Sequence, residues 1–368
     1  MNIWDLAKPQ FRNLGVYEPG KPVDDVAREL GLDPESIVKL ASNENPLGPS
    51  PAAVEAMQKV LTQSHIYPDG GAYHLRNAIA EKFGLEQSNV TVGNGSDEII
   101  VLIGHGFLRP GDNIVVSDHA FVVYKLTAAL FGAETIEVPE ADGFRQDLDA
   151  MAAAINDKTR VVFLANPNNP TGVLSTEEEL DRFMAKVPEH VVVVFDEAYY
   201  EFLDDAPDTL KYVRDGRRVI VLHTFSKIQG LAALRIGYGM SSPELAEVMN
   251  KAREPFNTNA VAQAAALAAL ADQDHQDRTK EITDQGREYL QNTFREMGLE
   301  YVPSYANFVL VKVGDGDRAF REMQEQGVII RAMRGYKLPD WIRVSVGQKH
   351  ENERFVEVLK ERLAEWGR

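Results

Sequence analysis

The chain has no cysteine among its 368 residues. Disulfide bonds, thiolate zinc sites, iron–sulfur clusters and cysteine nucleophiles are therefore excluded. Basic residues are fewer than acidic ones. The chain has 39 Lys and Arg but 56 Asp and Glu, which gives a formal net charge of −17. Nucleic acids and anionic membranes both favour a basic protein surface. The composition therefore argues against both as partners, although it does not exclude a local basic pocket.

Long apolar runs are absent as well. The longest uncharged stretch, residues 255–271, is rich in Ala but contains Asn257, Asn259 and Gln263, and it is too short and too polar to span a bilayer. The first residues lack the apolar run of a signal peptide. We therefore expect a soluble cytoplasmic protein. Apolar residues make up 44% of the chain, enough for a large core, and the length corresponds to about two or three domains.

The middle of the chain alternates between short β-branched runs and helical patterns. The candidate strands are residues 89–92, 114–116, 135–138, 161–165, 191–196, 219–224 and 236–240. The helical patterns between them include residues 96–107, 122–131, 147–155 and 176–184. This alternation predicts an α/β large domain over residues 50–255, with a mostly parallel seven-stranded sheet between helices.

The two ends of the chain have a different pattern. Helices are predicted at residues 260–271, 276–297 and 317–326 and from residue 351, with an apolar run at 307–313 and short strands at 328–331 and 341–346. We expect residues 1–49 and 256–368 to form an N-terminal arm and a smaller α+β domain. The arm is rich in Pro and Gly and lacks a core of its own, so it is expected to lie across the other parts or on a partner subunit.

Ligands of open α/β sheets bind beyond the carboxyl ends of the strands, so polar residues at those positions are candidates for a site. After the strand at 89–92 comes the turn Gly-Asn-Gly-Ser-Asp at 93–97, which opens a helix. Its backbone N–H groups and helix dipole suit a phosphate, although a plain N-cap at Ser96 explains the same residues. The glycine spacing fits neither a Walker loop nor a dinucleotide-binding fingerprint.

After the strand at 161–165, a loop stiffened by Pro167 and Pro170 either aims an asparagine at a ligand or forms a tight turn.

Two further strand ends carry charged residues. Asp196 ends a run of valines, and a carboxylate there needs a cationic partner or hydrogen-bond donors to stay charged. Lys227 follows the strand at 219–224, where burial and nearby positive charge would lower its pKa and favour the nucleophilic amine. Arg235 with the hydroxyls of Thr224 and Ser226 is suited to hold a phosphate. A lone lysine is usually a surface residue, but here four strand ends each supply part of one site.

Together these pieces resemble the class I/II aminotransferases, fold-type I enzymes that use pyridoxal 5′-phosphate (PLP). The resemblance implies that Lys227 bonds to the aldehyde of the cofactor and that Asp196 pairs with its pyridinium nitrogen. Asn169 and Tyr199 correspond to the donors to the phenolic oxygen. Phe121 corresponds to the aromatic ring that stacks on the cofactor, with Tyr124 as the alternative. The implied phosphate-binding set is Gly95, Ser96, Asp97, Thr224, Ser226 and Arg235.

The ends of the chain resemble the histidinol-phosphate aminotransferases more narrowly. The matching segments are residues 16–21, 39–51, 67–69, 328–331 and 341–347. The resemblance implies that Tyr67 reaches the cofactor phosphate of a neighbouring subunit, hence a homodimer with shared active sites, and that Tyr17 contacts substrate from the partner. The other implied substrate-binding residues are Asn43, Asn307, Arg331 and Arg343. A guanidinium group suits a carboxylate and a phosphate equally, so residue type does not decide which anion each arginine binds.

The implied reaction exchanges an amino group between glutamate and imidazole-acetol phosphate, in histidine biosynthesis and without a metal. Two departures leave substrate exclusivity open, namely Ile228-Gln229 after the lysine and His119-Ala120 before Phe121. An aromatic amino-acid aminotransferase with the same residues is therefore an alternative. A PLP-dependent decarboxylase of a phosphorylated amino acid is a second one. The PLP-binding module of a transcription regulator is disfavoured, because an acidic chain of this length has no room for a DNA-binding domain.

Overall fold

The computed structural model describes residues 2–12, 14–15 and 20–367. The strands are β1 (Val38–Lys39), β2 (Val90–Gly93), β3 (Asn113–Ser117), β4 (Glu134–Val138), β5 (Thr159–Ala165), β6 (Val192–Asp196), β7 (Val219–Thr224), β8 (Gly237–Ser241), β9 (Tyr301–Val302), β10 (Phe308–Lys312), β11 (Val328–Ile329), β12 (Arg331–Ala332) and β13 (Trp341–Ser345). The helices are α1 (Val23–Leu30), α2 (Pro51–Leu61), α3 (Tyr73–Phe83), α4 (Ser96–Phe107), α5 (Val122–Leu130), α6 (Leu148–Ala154), α7 (Glu177–Met184), α8 (Leu210–Arg214), α9 (Pro243–Ala252), α10 (Ala260–Ala271), α11 (Gln273–Glu296), α12 (Gly316–Gln324) and α13 (Lys349–Glu365).

The larger sheet has seven strands in the order β2-β8-β7-β6-β5-β3-β4. Strands β7, β6, β5, β3 and β4 are parallel, whereas β8 is antiparallel to both of its neighbours. The run of apolar residues in β6 is buried on both faces, because Val193 and Phe195 pack into one helix layer while Val192 and Val194 pack into the other. The prediction of an α/β fold with a mostly parallel seven-stranded sheet between helices is confirmed.

The C-terminal part of the chain forms a four-stranded antiparallel sheet in the order β12-β13-β10-β9. Its core contains Leu290 and Phe294 of α11 and Phe355 and Leu359 of α13. The prediction of one strand over residues 328–331 is wrong. The chain changes partners at the buried Ile330, so that β11 pairs with β1 in parallel and β12 pairs with β13. The boundaries of the two predicted domains stay a prediction.

The seven-stranded sheet brings four strand ends to one edge. Gly237 of β8 pairs with Gly93 on one side and with Thr224 on the other. Asp196 pairs with Leu222 of β7 and with Ala165 of β5. The ends of β2, β7, β6 and β5 are therefore neighbours, as expected for a site at the carboxyl edge. Among the helices of the described ranges, none is both long and apolar enough to cross a membrane.

Replacement of Gly237 tests how tightly the carboxyl edge of the seven-stranded sheet is packed. A Cβ atom at Gly237 would lie 2.5 Å from the backbone nitrogen of Ser96 and 3.0 Å from the carbonyl oxygen of His223. We expect Gly237→Ala to lower the free energy of unfolding by about 2–3 kcal/mol, because backbone atoms cannot move aside as a side chain can. Urea denaturation followed by circular dichroism measures the loss.

Gly239→Ala is the matched control on the same strand. A Cβ atom there would meet only side-chain atoms, the nearest at 3.3 Å. The control should cost less than about 1 kcal/mol. Equal losses for the two variants would contradict the close backbone approach at Gly237.

Candidate active site

A cavity of about 250 Å³ opens at the carboxyl edge of the seven-stranded sheet. Residues 41–44 and the strands β12 and β13 close it from the other side. Most of the residues predicted for the site line this one cavity: Asn43, Ser96, Asp97, Phe121, Asn169, Asp196, Tyr199, Thr224, Ser226, Lys227, Arg235, Arg331 and Arg343.

Lys227 lies in the turn that follows β7. Its Nζ donates a hydrogen bond to the carbonyl oxygen of Ser42 at 3.2 Å and lies 5.8 Å from the centre of the Tyr199 ring. Burial, with the positive charge of Arg343, lowers the pKa of Lys227 to about 8. The neutral, nucleophilic amine is therefore much more populated near neutral pH than it is for an exposed lysine.

Asp196 is the last residue of β6 and is buried. The hydroxyl of Tyr124 donates to its Oδ2 at 2.6 Å, whereas its Oδ1 is buried and makes no hydrogen bond. Burial raises the pKa of Asp196 to about 6. Tyr124, which the sequence offers only as an alternative stacking residue, is thus a hydrogen-bond partner of Asp196. Its ring stacks on the ring of Phe163, with 4.5 Å between the two ring centres.

The N-terminus of α4 and Arg235 form one end of the cavity. The guanidinium of Arg235 contacts Asp97 Oδ2 at 3.3 Å and Ser226 Oγ at 3.4 Å, and the Ser226 N–H donates to Thr224 Oγ1 at 3.1 Å. Gly95 precedes the helix at φ 84°. A Cβ atom there would lie 2.6 Å from Arg235 Nη2, so only glycine leaves room for this guanidinium. Gly95 supports the end of the cavity without lining it.

Hydrogen bonds fix the orientation of Asn169 and Tyr199. Arg343 donates from Nη1 to Asn169 Oδ1 at 2.6 Å, which leaves the Nδ2 group of Asn169 as the donor for a ligand. Asn43 Nδ2 donates to the Tyr199 hydroxyl at 3.0 Å. Burial raises the pKa of Tyr199 to about 12, so its hydroxyl stays protonated and able to donate.

The opposite end of the cavity carries two arginines from adjacent strands. Arg331 of β12 and Arg343 of β13 are direct partners in the register, so their side chains leave the sheet on the same face. Tyr336 and Glu44 line the same cavity. Sequence reasoning missed both: Glu44 belongs to the matched segment 39–51 but was assigned no role, and no motif marks Tyr336.

Two more of the predicted residues do not line the cavity. Asn307 is buried behind the cavity and donates from Nδ2 to the carbonyl oxygen of Asn43 at 3.0 Å, so it supports the wall instead of lining it. Tyr67 is 80% exposed, outside the cavity of its own chain, and stacks on Phe256 at 4.8 Å. Tyr17 lies outside the described residues. Within those residues, no three His, Asp or Glu side chains group as a metal site.

Residues 35–359 match the family model for aminotransferase class I and II. A histidinol-phosphate aminotransferase from Akkermansia muciniphila is 54% identical, over 99% of this chain and 100% of the relative. Another from Moorella thermoacetica is 47% identical, over 95% of this chain and 90% of the relative. The crystal structure of a histidinol-phosphate aminotransferase from Sinorhizobium meliloti, in complex with pyridoxal-5′-phosphate, superposes with a TM-score of 0.88 at 30% identity and covers 98% of both chains. The chain therefore belongs to the class I and II aminotransferase family, which confirms the resemblance predicted from its sequence.

Proposed function

We propose that this chain is a PLP-dependent aminotransferase that exchanges an amino group between glutamate and imidazole-acetol phosphate, giving 2-oxoglutarate and histidinol phosphate in histidine biosynthesis. The observation that carries the proposal is one cavity with a nucleophilic lysine and a buried carboxylate, and with arginines at both of its ends. The full-length identity of 54% to a histidinol-phosphate aminotransferase supports this choice of substrate. The cytoplasmic location expected from the sequence stays a prediction.

PLP is the cofactor of this family, and the Sinorhizobium meliloti structure contains it. The residues of the cavity fit this group. The buried Oδ1 of Asp196 lacks a hydrogen-bond partner and is suited to a pyridinium N–H. Arg235 and the N-terminus of α4, kept open by Gly95, are suited to the cofactor phosphate. When bound, PLP supplies an aldehyde that exchanges amines and a ring that withdraws electrons from the substrate Cα.

The side chains of this chain then have distinct roles. Lys227 holds the cofactor, and its freed amine moves the proton at the substrate Cα as general base and acid. Asp196 stays ionised when a cation neutralises it, and Tyr124 orients its carboxylate. Asn169 and Tyr199 donate hydrogen bonds to the phenolic oxygen of the cofactor, and Phe121 covers one face of its ring.

Arg331 and Arg343 bind the anionic parts of the substrates. Their adjacent register positions place two guanidinium groups at one end of the cavity, which suits a substrate phosphate and the carboxylate of glutamate. Arg343 is also anchored to the carbonyl oxygen of Ala41 at 2.9 Å, so its position is fixed before a substrate enters. Such a fixed group costs little to order on binding.

The proposal includes a homodimer with shared active sites. The rings of Tyr67 and Phe256 stack on each other and are exposed to solvent. More than half of the surface is also exposed in Leu61, Ile66 and Tyr73. A patch of large apolar side chains of this kind is typical of an interaction surface. In the dimer, Tyr67 reaches the cofactor phosphate of the partner subunit. The substrates are small molecules, and neither nucleic acid nor membrane enters the proposal.

Replacement of Lys227 tests the catalytic assignment. We expect Lys227→Ala to lower turnover by at least about a thousandfold, since both the covalent anchor and the general base are lost. The visible absorbance of the covalently held cofactor should disappear as well. Lys59→Ala, at an exposed position on α2, is the control and should keep both properties. Retained turnover in Lys227→Ala would exclude the proposed mechanism.

Replacement of Arg331 tests the substrate. We expect Arg331→Met to raise the KM for histidinol phosphate by about 10- to 100-fold, the size of one lost charge-assisted hydrogen bond, and to change the half-reaction with phenylalanine less than about twofold. Stopped-flow absorbance of the cofactor with each amino donor measures both. Arg334→Met is the control, because this exposed arginine pairs with Asp317 outside the cavity.

The alternatives give different outcomes in the same assay. An aromatic amino-acid aminotransferase would barely respond to Arg331→Met with any substrate. Equal losses with histidinol phosphate and phenylalanine would mean that Arg331 binds the phosphate of the first and the carboxylate of the second, and would contradict a role specific to the phosphate. A decarboxylase would release carbon dioxide and would not depend on 2-oxoglutarate.

The lowered pKa of Lys227 predicts the pH range in which its amine loses its proton in the cofactor-free protein. Below a pH of about 8 the amine is mostly protonated, and above it mostly neutral. The ¹³Cε NMR shift of Lys227, assigned by its absence in Lys227→Met, should therefore titrate with a midpoint about two units below that of an exposed lysine. Arg343→Met should move this midpoint upwards, because the nearby positive charge is lost. A midpoint above 10 in the wild-type protein would contradict the buried environment of Lys227.

A further inference from the structure

Lys337 connects the two sheets on the side of the cavity where the two arginines lie. It follows the short helical turn Arg334–Tyr336, which links β12 to β13 in the four-stranded sheet. Its Nζ lies 2.7 Å from Asp118 Oδ1 and 2.6 Å from Glu137 Oε2. Asp118 follows β3 and Glu137 belongs to β4, both in the seven-stranded sheet. One ammonium group therefore bridges two carboxylates that belong to the other sheet.

The backbone at Lys337 supports a specific role. Lys337 has φ 62°, in the left-handed region that is unfavourable for a residue with a Cβ atom. Its N–H closes the turn by donating to the carbonyl oxygen of Arg334 at 2.9 Å. A residue in such a conformation persists when its surroundings hold it there. Here the two carboxylates hold the side chain, and the pKa of Lys337 is raised by its hydrogen bonds to Asp118 and Glu137, so the ammonium stays charged.

The elements on both sides of this bridge lead directly into the cavity. Tyr336 immediately precedes Lys337 and, like Arg331, lines the cavity. On the other side, Phe121 lies three residues after Asp118 and lines the cavity as well. Lys337 therefore joins the two sheets close to two residues that line the cavity, namely Tyr336 on one side of the bridge and Phe121 on the other.

We propose that Lys337 is a positioning residue which, through Asp118 and Glu137, holds the turn that carries Tyr336 against the seven-stranded sheet and so fixes the position of Tyr336 in the substrate-binding part of the cavity. Lys337 is not among the residues that line the cavity, so we expect it to affect substrate affinity and not the chemical step. Lys125 reinforces the same point, because its Nζ donates to Glu137 Oε2 at 2.7 Å and to the carbonyl oxygen of Asp118 at 2.9 Å. The part of this inference that concerns substrate affinity rests on the proposed aminotransferase function.

The test compares Lys337→Met with Lys312→Met in the holoenzyme. Methionine keeps most of the aliphatic stem and removes the charge in both. Lys312 is the matched control, since it is also exposed and paired with a carboxylate, Glu300 at 2.9 Å, but this pair does not connect the two sheets, because Lys312 ends β10 and Glu300 directly precedes β9. We expect Lys337→Met to raise the KM for histidinol phosphate about three- to fivefold, the effect of a modest ion pair, with kcat changed by less than about twofold. Lys312→Met should leave both unchanged, and Lys337→Arg should restore the KM.

A second readout does not depend on activity. Amide hydrogen exchange of the segment 333–340, followed by mass spectrometry, should be faster in Lys337→Met than in the wild type and unchanged in Lys312→Met. Equal KM values and equal exchange for the two methionine variants would overturn the proposal. A fall in kcat at unchanged KM would overturn it too. If the wild type does not turn over histidinol phosphate, the proposed function fails, and the exchange experiment still decides whether Lys337 holds this segment.

Discussion

The hydrogen bonds of Asn43 join the two sheets at the point where the cavity forms. Its N–H donates to Ser345 Oγ at 2.8 Å, its Oδ1 accepts from the same hydroxyl at 3.0 Å, and its carbonyl oxygen accepts from Asn307. Its Nδ2 reaches across to Tyr199. Because Asn43 has φ 54°, the chain turns sharply here, and the Ser42 carbonyl oxygen comes within reach of Lys227. An N-terminal segment with no core of its own thus decides where the C-terminal arginines lie relative to the lysine.

The cavity keeps two charged groups in states that water would not favour. Asp196 is buried with one oxygen unsatisfied, and the partly buried Lys227 lies close to a guanidinium. Both arrangements work against folding, because a desolvated charge is unfavourable until an opposite charge arrives. The surrounding β-branched strands, buried on both faces, offset this penalty. A ligand with a cationic ring nitrogen and an aldehyde would relieve both groups at once, which would couple binding of the proposed cofactor to the stability of the fold.

The seven-stranded sheet and the strand-end residues were predictable, because short β-branched runs and the polar residues after them are local in sequence. The Ser50-Pro51 pair at the start of α2 is an N-cap signal that sequence reasoning could have used and did not. Tyr336 and Lys337 were not predictable in this way. Their roles depend on contacts with distant parts of the chain, since Asp118 and Glu137, the partners of Lys337, lie 219 and 200 positions away. The role of Asn307 as a support was hidden for the same reason, since its partner lies 264 positions away.

The acidic exterior has a consequence for how an anionic substrate arrives. The protein carries a formal charge of −17, whereas the cavity concentrates Lys227, Arg235, Arg331 and Arg343 against Glu44, Asp97 and Asp196. At physiological ionic strength, the repulsion from the acidic exterior and the attraction of these four cations are both screened beyond about 8 Å. A phosphorylated substrate is therefore repelled where it comes near the acidic exterior and attracted only at the mouth of the cavity. Dissolved salt weakens the repulsion from the exposed exterior more than the attraction inside the partly buried pocket. The association of the substrate should therefore become faster as ionic strength rises, opposite to the steering of anions by a basic surface.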